Sequence, residues 1–193
     1  MIRAKAITFK LFLIRFSDIQ LYKSVISNTS LSHCTCPHCK STSSTFHSFY
    51  NRYLISFEKG QRVDSSISVC RVQCNSCRHT HAILPDIITP FGSYSLRFVI
   101  TVLFAYISQK HTVAHLCDKY GISLSTLYVW KNLFYEHYNA WLSASKRFLA
   151  LSRTAIYSFL SEISLPCRFF QRFGFSFLQQ RNTTFLSLRK GDG

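Results

Sequence analysis

Two stretches in the first half of the chain, Phe46 to Phe57 and Val63 to Val72, are dense in aromatic and β-branched residues and flank the turn-like Glu58-Lys59-Gly60-Gln61. Side chains suited to a pleated, half-buried surface on either side of a turn predict a β-hairpin. From Leu96 to Gln109 apolar residues occupy almost every side of a helical wheel, and only Arg97, Thr101 and Ser108 form a narrow polar stripe. That pattern predicts a buried helix, capped by Ser93 or Ser95, after a connector bracketed by Pro85 and Pro90. The run Val113 to Trp130 divides at Gly121 into two helical segments. Glycine permits a positive φ at the joint, and Leu116, Tyr120, Ile122, Leu127 and Trp130 are spaced to pack the two helices together, with Cys117 small enough for close approach. Ser123 or Ser125 is placed to cap the second helix, which is expected to run to Tyr138 or Trp141; Thr154 to Ile163 predicts a further short helix. The longest apolar stretch, Phe98 to Ile107, is about half of the roughly 20 residues a membrane span requires, so no span is expected.

Composition makes this a folded chain with a basic surface. Hydrophobic residues form 47% and aromatic residues 16% of its 193 positions, too many for a disordered basic tail. Lys and Arg number 23 against 8 acidic residues, giving a formal charge of +15. The excess is +4 over residues 1–33, +3 over 34–92, +2 over 93–142 and +6 over 143–193. Basic flanks around a more neutral centre suit a protein that grips phosphates with its ends and reads bases with its middle. The stretch Arg168 to Leu178 interleaves arginines with phenylalanines; it can pack into a core, stack on bases or serve as an association patch, the last making a homodimer possible. Lys10 and Arg15 interrupt the apolar run that a secretion signal needs, so a cytoplasmic location is expected.

Eight cysteines change the picture by their spacing. Cys36-Pro37-His38-Cys39 and Cys74-Asn75-Ser76-Cys77 are two C-x-x-C pairs separated by 34 residues. Each pair can fold two thiolates onto one ion, and two pairs complete the tetrahedral set that Zn²⁺ favours. Lys40 and Asn75 suit the tight turns involved. Cys36, Cys39, Cys74 and Cys77 are therefore the expected ligands of a structural zinc, with no open position for water activation. Cys34 and Cys70 are alternates, Cys117 and Cys167 are expected to be buried thiols, and His38, His47, His79 and His81 are left outside the ligand set. Four thiolates with one Zn²⁺ carry −2, which leaves the chain at about +13.

The second helix after Gly121 has the character of a recognition helix. Its exposed early positions are expected to be Leu124, Ser125, Thr126, Tyr128, Val129 and Lys131; Ser125, Thr126 and Tyr128 are candidates to reach base edges and Lys131 to meet phosphate. The expected fold class is α+β, a small β-hairpin zinc ribbon followed by an all-α helix-turn-helix bundle. Its expected divisions are a basic N-terminal segment (1–33), ribbon and connector (34–92), helix-turn-helix domain (93–142) and basic Phe-rich segment (143–193).

The run Cys36-Pro37-His38-Cys39, then His47-Ser48-Phe49-Tyr50-Asn51-Arg52, then Cys74 through His79-Thr80-His81-Ala82-Ile83-Leu84-Pro85, resembles an uncharacterised bacterial family of short zinc-ribbon plus helix-turn-helix proteins. That family in turn resembles the N-terminal DNA-binding part of insertion-sequence transposases. The resemblance covers roughly residues 34–142 and implies architecture more than activity. A complete transposase needs three carboxylates holding two divalent metals, and after Trp130 only Glu136, Glu162 and Asp192 remain, in too short a chain. No Gly-rich phosphate loop or Ser-His-Asp set is present. The reading is a zinc-stabilised, non-enzymatic binder of double-stranded DNA, with a protein-interaction or RNA-binding module as the alternative.

Overall fold

A computed structural model of the chain describes residues 2–4, 17–29, 34–85, 87–90, 92–145, 153–161, 165–174 and 176–179. Much of the two basic flanks and the side chain of Cys167 lie outside the described residues. At the centre is a hairpin of two long strands, β2 (Ser44–Glu58) and β3 (Gln61–Cys74), joined at Lys59 and Gly60. Both turn residues have positive φ, 50° and 83°, which is the backbone twist that a two-residue hairpin loop requires. Strand β4 (Thr80–Pro85) pairs antiparallel with β3, and β1 (Ile2–Ala4) adds in parallel to β4, so the strand order is β1-β4-β3-β2.

One side of the sheet is covered by helix α1 (Asp18–Ser27), which starts at a capping box formed by Ser17 and Gln20. Leu21 and Tyr22 of α1 are buried with Leu54, Ile67, Val69, Leu84, Ile87 and Ile88, and the Tyr22 hydroxyl donates to the Ser68 carbonyl at 2.8 Å. After the sheet come α2 (Leu96–Ser108), α3 (Val113–Tyr120), α4 (Leu124–Ser145), α5 (Arg153–Ser161) and α6 (Leu165–Phe173). Ser95 caps α2 by accepting from the Phe98 amide at 3.1 Å. Gly121 ends α3 in the left-handed region at φ 58°, which favours glycine, and a Cβ there would stand 3.3 Å from Arg62 Cδ, so the Arg62 side chain would have to give slightly. Three phenylalanines of the C-terminal stretch are structural: Phe169, Phe173 and Phe177 are buried in one core with residues of α2 and α4, and Arg168 and Arg172 lie over the Trp141 ring.

The expected order of a small hairpin ribbon followed by a separate all-α bundle is not what the chain forms. The middle of the chain, residues 44–85, is a three-stranded antiparallel sheet, with a helix packed on it from the N-terminal side and helices after it. The physical reason lies in strand length. With 15 and 14 residues, β2 and β3 run well past what the cysteine turns can organise, and their apolar residues need cover from other elements. The far end of the hairpin finds it among the helices: Phe57 packs with Phe98 and Tyr120, and the Ile55 amide and carbonyl bond to Ser93 and Ser95 at 2.7 and 2.8 Å. Arg62, paired with Asp64 at 2.8 Å, also donates to the Gly121 carbonyl and lies over the Tyr94 ring. Among the described residues, no helix is long and apolar enough to cross a membrane.

Helix α1 is tied to α2 by a buried charge pair, Asp18 to Arg97 at 2.9 Å, with Ser95 and Glu58 beside it. Burial raises the Asp18 pKa above its ordinary 3.8, against the pull of Arg97 and the Ser95 hydroxyl and with help from the Glu58 charge. The folded state thus holds this proton more tightly than the unfolded chain. The group's contribution to stability is full below pH 3.8 and is lost as pH rises through its folded value. Two outcomes follow for denaturant unfolding measured over a pH series. Arg97→Ala should cost about 3–5 kcal/mol at neutral pH by stranding a buried carboxylate. Asp18→Asn should cost much less, and the wild-type stability relative to this variant should decline as pH rises above 3.8.

Candidate metal centre

The end of the hairpin away from Lys59 and Gly60 carries the two cysteine turns, and they are built alike. In the first, the Lys40 amide donates to the Cys36 carbonyl at 2.9 Å and the Cys36 amide to the Ser41 carbonyl at 2.8 Å. In the second, the Arg78 amide donates to the Cys74 carbonyl at 3.0 Å and the Cys74 amide to the His79 carbonyl at 3.0 Å. Each turn closes through a residue with positive φ, Lys40 at 65° and Arg78 at 61°. The left-handed residue of the second turn is thus Arg78, and Asn75 serves instead as a strut. Its amide donates to the Ser43 carbonyl at 3.1 Å, its side chain donates to Ser43 Oγ at 2.8 Å, and it accepts from Thr45 at 3.1 Å. These bonds hold the second turn against the segment that follows the first.

The four predicted thiols converge. Sγ atoms of Cys36, Cys39, Cys74 and Cys77 all lie within 4.8 Å of one another, with Cys36–Cys77 at 3.6 Å and Cys39–Cys74 at 3.5 Å. A tetrahedron of sulfurs about 2.3 Å from an ion has edges of about 3.8 Å, so the set has the size of a metal shell. These separations are far beyond a disulfide bond, and all four cysteines are free thiols. Cys34 and Cys70, the alternates, are buried nearby and burial pushes both thiols up, which suits neutral core residues rather than ligands. Cys117 is half-buried against the core of α3 and α4.

The electrostatics of the cluster call for a cation. Amide donation from Cys77, then from Ser76, draws Cys74 down to about 6 despite burial. Cys77 receives the His79 amide, which lowers it, but burial and the neighbouring Cys39, Cys36 and Cys74 sulfurs outweigh this and push it up to about 12. One thiolate forms readily while the last is held protonated by the others. A divalent ion removes that conflict by neutralising all four together.

One neighbour outside the expected ligand set matters. His81, on β4, is buried and places Nε2 3.2 Å from Cys36 Sγ. Burial, reinforced by the charges of nearby groups including His79 and His38, keeps its imidazole pKa below the usual value. A neutral ring donating to a thiolate is the kind of contact that orients a metal ligand and tunes its affinity. Spacing could not reveal this role, because it depends on the pairing of β4 with β3 that sets His81 opposite Val72.

The predicted nucleic-acid residues lie at the other end of the hairpin. Ser125 and Tyr128 are exposed on the first turns of α4, while Thr126 and Lys131 are half-buried. Ser123 Oγ accepts from the Thr126 amide at 3.1 Å and also bonds the Ser125 and Thr126 hydroxyls, each at 2.8 Å. Both hydroxyls are therefore engaged in the helix cap. The Lys131 ammonium lies over the Tyr128 and Tyr106 rings at 5.2 and 5.7 Å. Leu124 and Val129 are exposed beside them.

With this geometry in hand, comparison adds one likeness. Residues 36–130, from the first cysteine turn to Trp130 on α4, match the family model of a domain of unknown function (DUF6431). No curated protein and no solved structure matches the chain.

The His81 contact gives a direct check on the centre. His81→Ala should leave the metal content of the purified protein unchanged but weaken retention against a chelator by about 10–100-fold. Cys36→Ser or Cys74→Ser should lower the metal content itself. Unchanged content and thermal stability in both cysteine variants would remove the metal assignment.

Proposed function

We propose that the protein is a zinc-stabilised, non-enzymatic binder of double-stranded DNA that reads the major groove with α4. The observation that carries this reading is the surface formed by α3, Gly121 and α4. Leu116, Tyr120, Ile122 and Leu127 are buried and lock the two helices together with Phe98 and Val102 of α2. On the outer side of α4, Leu124, Tyr128 and Val129 remain 54%, 40% and 43% exposed. A rigid helix pair that turns large side chains outward over its first two turns, on a chain with a formal charge of +15, has the features of a groove-reading module. Engagement of the Ser125 and Thr126 hydroxyls in the cap shifts the expected base contacts toward Tyr128 and its apolar neighbours, which suit thymine methyl groups. Lys131, held over the Tyr128 ring, is positioned to meet a phosphate.

Zinc is the ion that a tetrahedral four-thiolate shell fits best among common cellular metals. The ends of mobile elements are the first duplexes to try, on the expectation read from the cysteine and helix-turn-helix motifs that the family this chain resembles is in turn similar to the DNA-binding part of transposases. A second reading, single-stranded nucleic acid stacked on the hairpin, is favoured by the exposure of Phe46, Phe49 and Tyr53 on β2.

Fluorescence anisotropy of the zinc-loaded protein on a random duplex pool, over a salt series and with single-stranded RNA as competitor, tests the proposal. Affinity should fall steeply with salt, and duplex should compete better than RNA. Lys131→Ala should weaken all sequences alike and reduce the log–log salt slope by about 1, whereas Tyr128→Ala should change sequence preference. Salt-insensitive binding would point instead to a protein partner, and stronger competition by RNA to the single-stranded reading. The stoichiometry of the same titration reports whether one copy or two occupy a site.

A further inference from the structure

Beside the four-cysteine shell lie two histidines that it does not use. His38, inside the first cysteine turn, and His79, just after the second, are both exposed, and their rings stack at 4.1 Å between centroids with 22° between planes. One ring nitrogen of each and Cys77 Sγ lie within 4.8 Å of one another. The matched construction of the two turns is what brings His38, distant in sequence, to the spot where Cys77 and His79 lie. From this juxtaposition we infer a second metal site, His38–Cys77–His79, which takes a borderline divalent ion of the zinc class with the Cys77 thiolate bridging it to the ion in the four-cysteine shell. The inference rests on the four-cysteine metal centre.

Three physical points support it. First, the tautomer of His79 is set, because its Nδ1 lies 3.1 Å from the Cys77 carbonyl oxygen, which can only accept. Nδ1 therefore carries the proton, and Nε2 is left with a free lone pair, the arrangement that fixes histidine ligands through their other nitrogen. Second, a divalent ion in four thiolates leaves a unit of net charge −2, and a thiolate in it keeps lone pairs for a second cation. That local negative charge offsets the repulsion from Lys40 and Arg78 on the same turns. Third, the ligand types are a match for one class of ion, because imidazole with thiolate selects zinc-like metals over magnesium or calcium. The two sites differ in character. The four-cysteine shell is closed, whereas three ligands at the surface leave at least one coordination position to solvent, so the second ion should bind more weakly and exchange faster.

Cobalt(II) titration of the full-length protein, purified metal-free under reducing conditions and followed by visible absorption, separates the two sites. The wild type should take up two equivalents: a tight one with the bands of tetrahedral tetrathiolate cobalt, then a weaker one. His38→Ala/His79→Ala should keep the first equivalent and its spectrum and lose the second. His111 and His115 form another exposed, stacked pair at 4.7 Å, remote in sequence from the cysteine turns, and His111→Ala/His115→Ala serves as the control that should retain both. A wild type that saturates at one tetrathiolate equivalent, or a second equivalent that survives the loss of His38 and His79 or disappears with His111 and His115, overturns the second site and leaves the first intact. Absence of the tetrathiolate spectrum in the wild type would overturn the four-cysteine centre and the bridged site together.

Discussion

The antiparallel pairing of β2 with β3 is the constraint on which the other features depend. Its register runs from Ser44 opposite Cys74 to Glu58 opposite Gln61, interrupted by one irregularity between Phe46 and Ser48. At one end this register sets Cys74 beside the segment that leaves the first cysteine turn, which allows two turns 34 residues apart in sequence to share one site. At the other it delivers Phe57 and Arg62 to the joint between α3 and α4. A slip of one residue would exchange the two faces of the strand, exposing Leu54 and Val69 and withdrawing both sets of contacts at once. Fourteen paired residues at about 3.4 Å each place the two ends about 45 Å apart along the strands.

What the amino-acid sequence disclosed follows from how local each signal is. The cysteine turns were legible because a C-x-x-C spacing is itself the geometry of a two-thiolate knuckle, and the four sulfurs do converge within metal-binding distance. Gly121 was legible because a glycine between two helical patterns has few other uses. The sheet was not legible as a whole. Strand β4 is six residues directly behind a cysteine turn, too short for its alternation to stand out, and α1 has a mixed pattern whose apolar face is defined only by the sheet it covers. The hairpin itself is legible, its two strands lying within two residues of the expected bounds, but the cysteines suggest a free-standing ribbon, and the partners that the strands draw in are what spacing cannot show. Phe169, Phe173 and Phe177 repeat at helical intervals, but a row of that kind reads equally as core or as contact surface until a facing helix is known.

Polar side chains do more of the positioning than the hydropathy pattern suggests. Arg52 donates to the carbonyls of Thr89 and Gly92, Arg62 to that of Gly121, and Arg97 meets Asp18. Counted by composition, these three arginines belong to a basic surface. In the fold they fasten the connector, the joint between α3 and α4, and α1. Part of the formal charge of +15 is therefore committed to internal carbonyls and a carboxylate, and the charge available to a polyanion is smaller than the sequence total.

Two kinds of closure hold the hairpin, and they differ in how far their effects can travel. At the cysteine end, among the described residues, the buried apolar cluster is Val25, Cys34, Val72 and Ile83, so the hydrogen-bonded turns, and an ion that the four thiols would hold, carry much of the local order. At the α3–α4 end a continuous aromatic cluster of Phe57, Tyr94, Phe98, Tyr120 and Trp130 supplies dispersion and apolar burial that need no ligand. Between them, Leu54, Ile67 and Val69 are fixed by α1, whose own anchor is the Asp18–Arg97 pair. Among the described residues, a disturbance at the four thiols therefore reaches α4 through a middle section with its own core. The arrangement favours a protein in which the metal end and the helix end are ordered separately and held in fixed relation by the sheet.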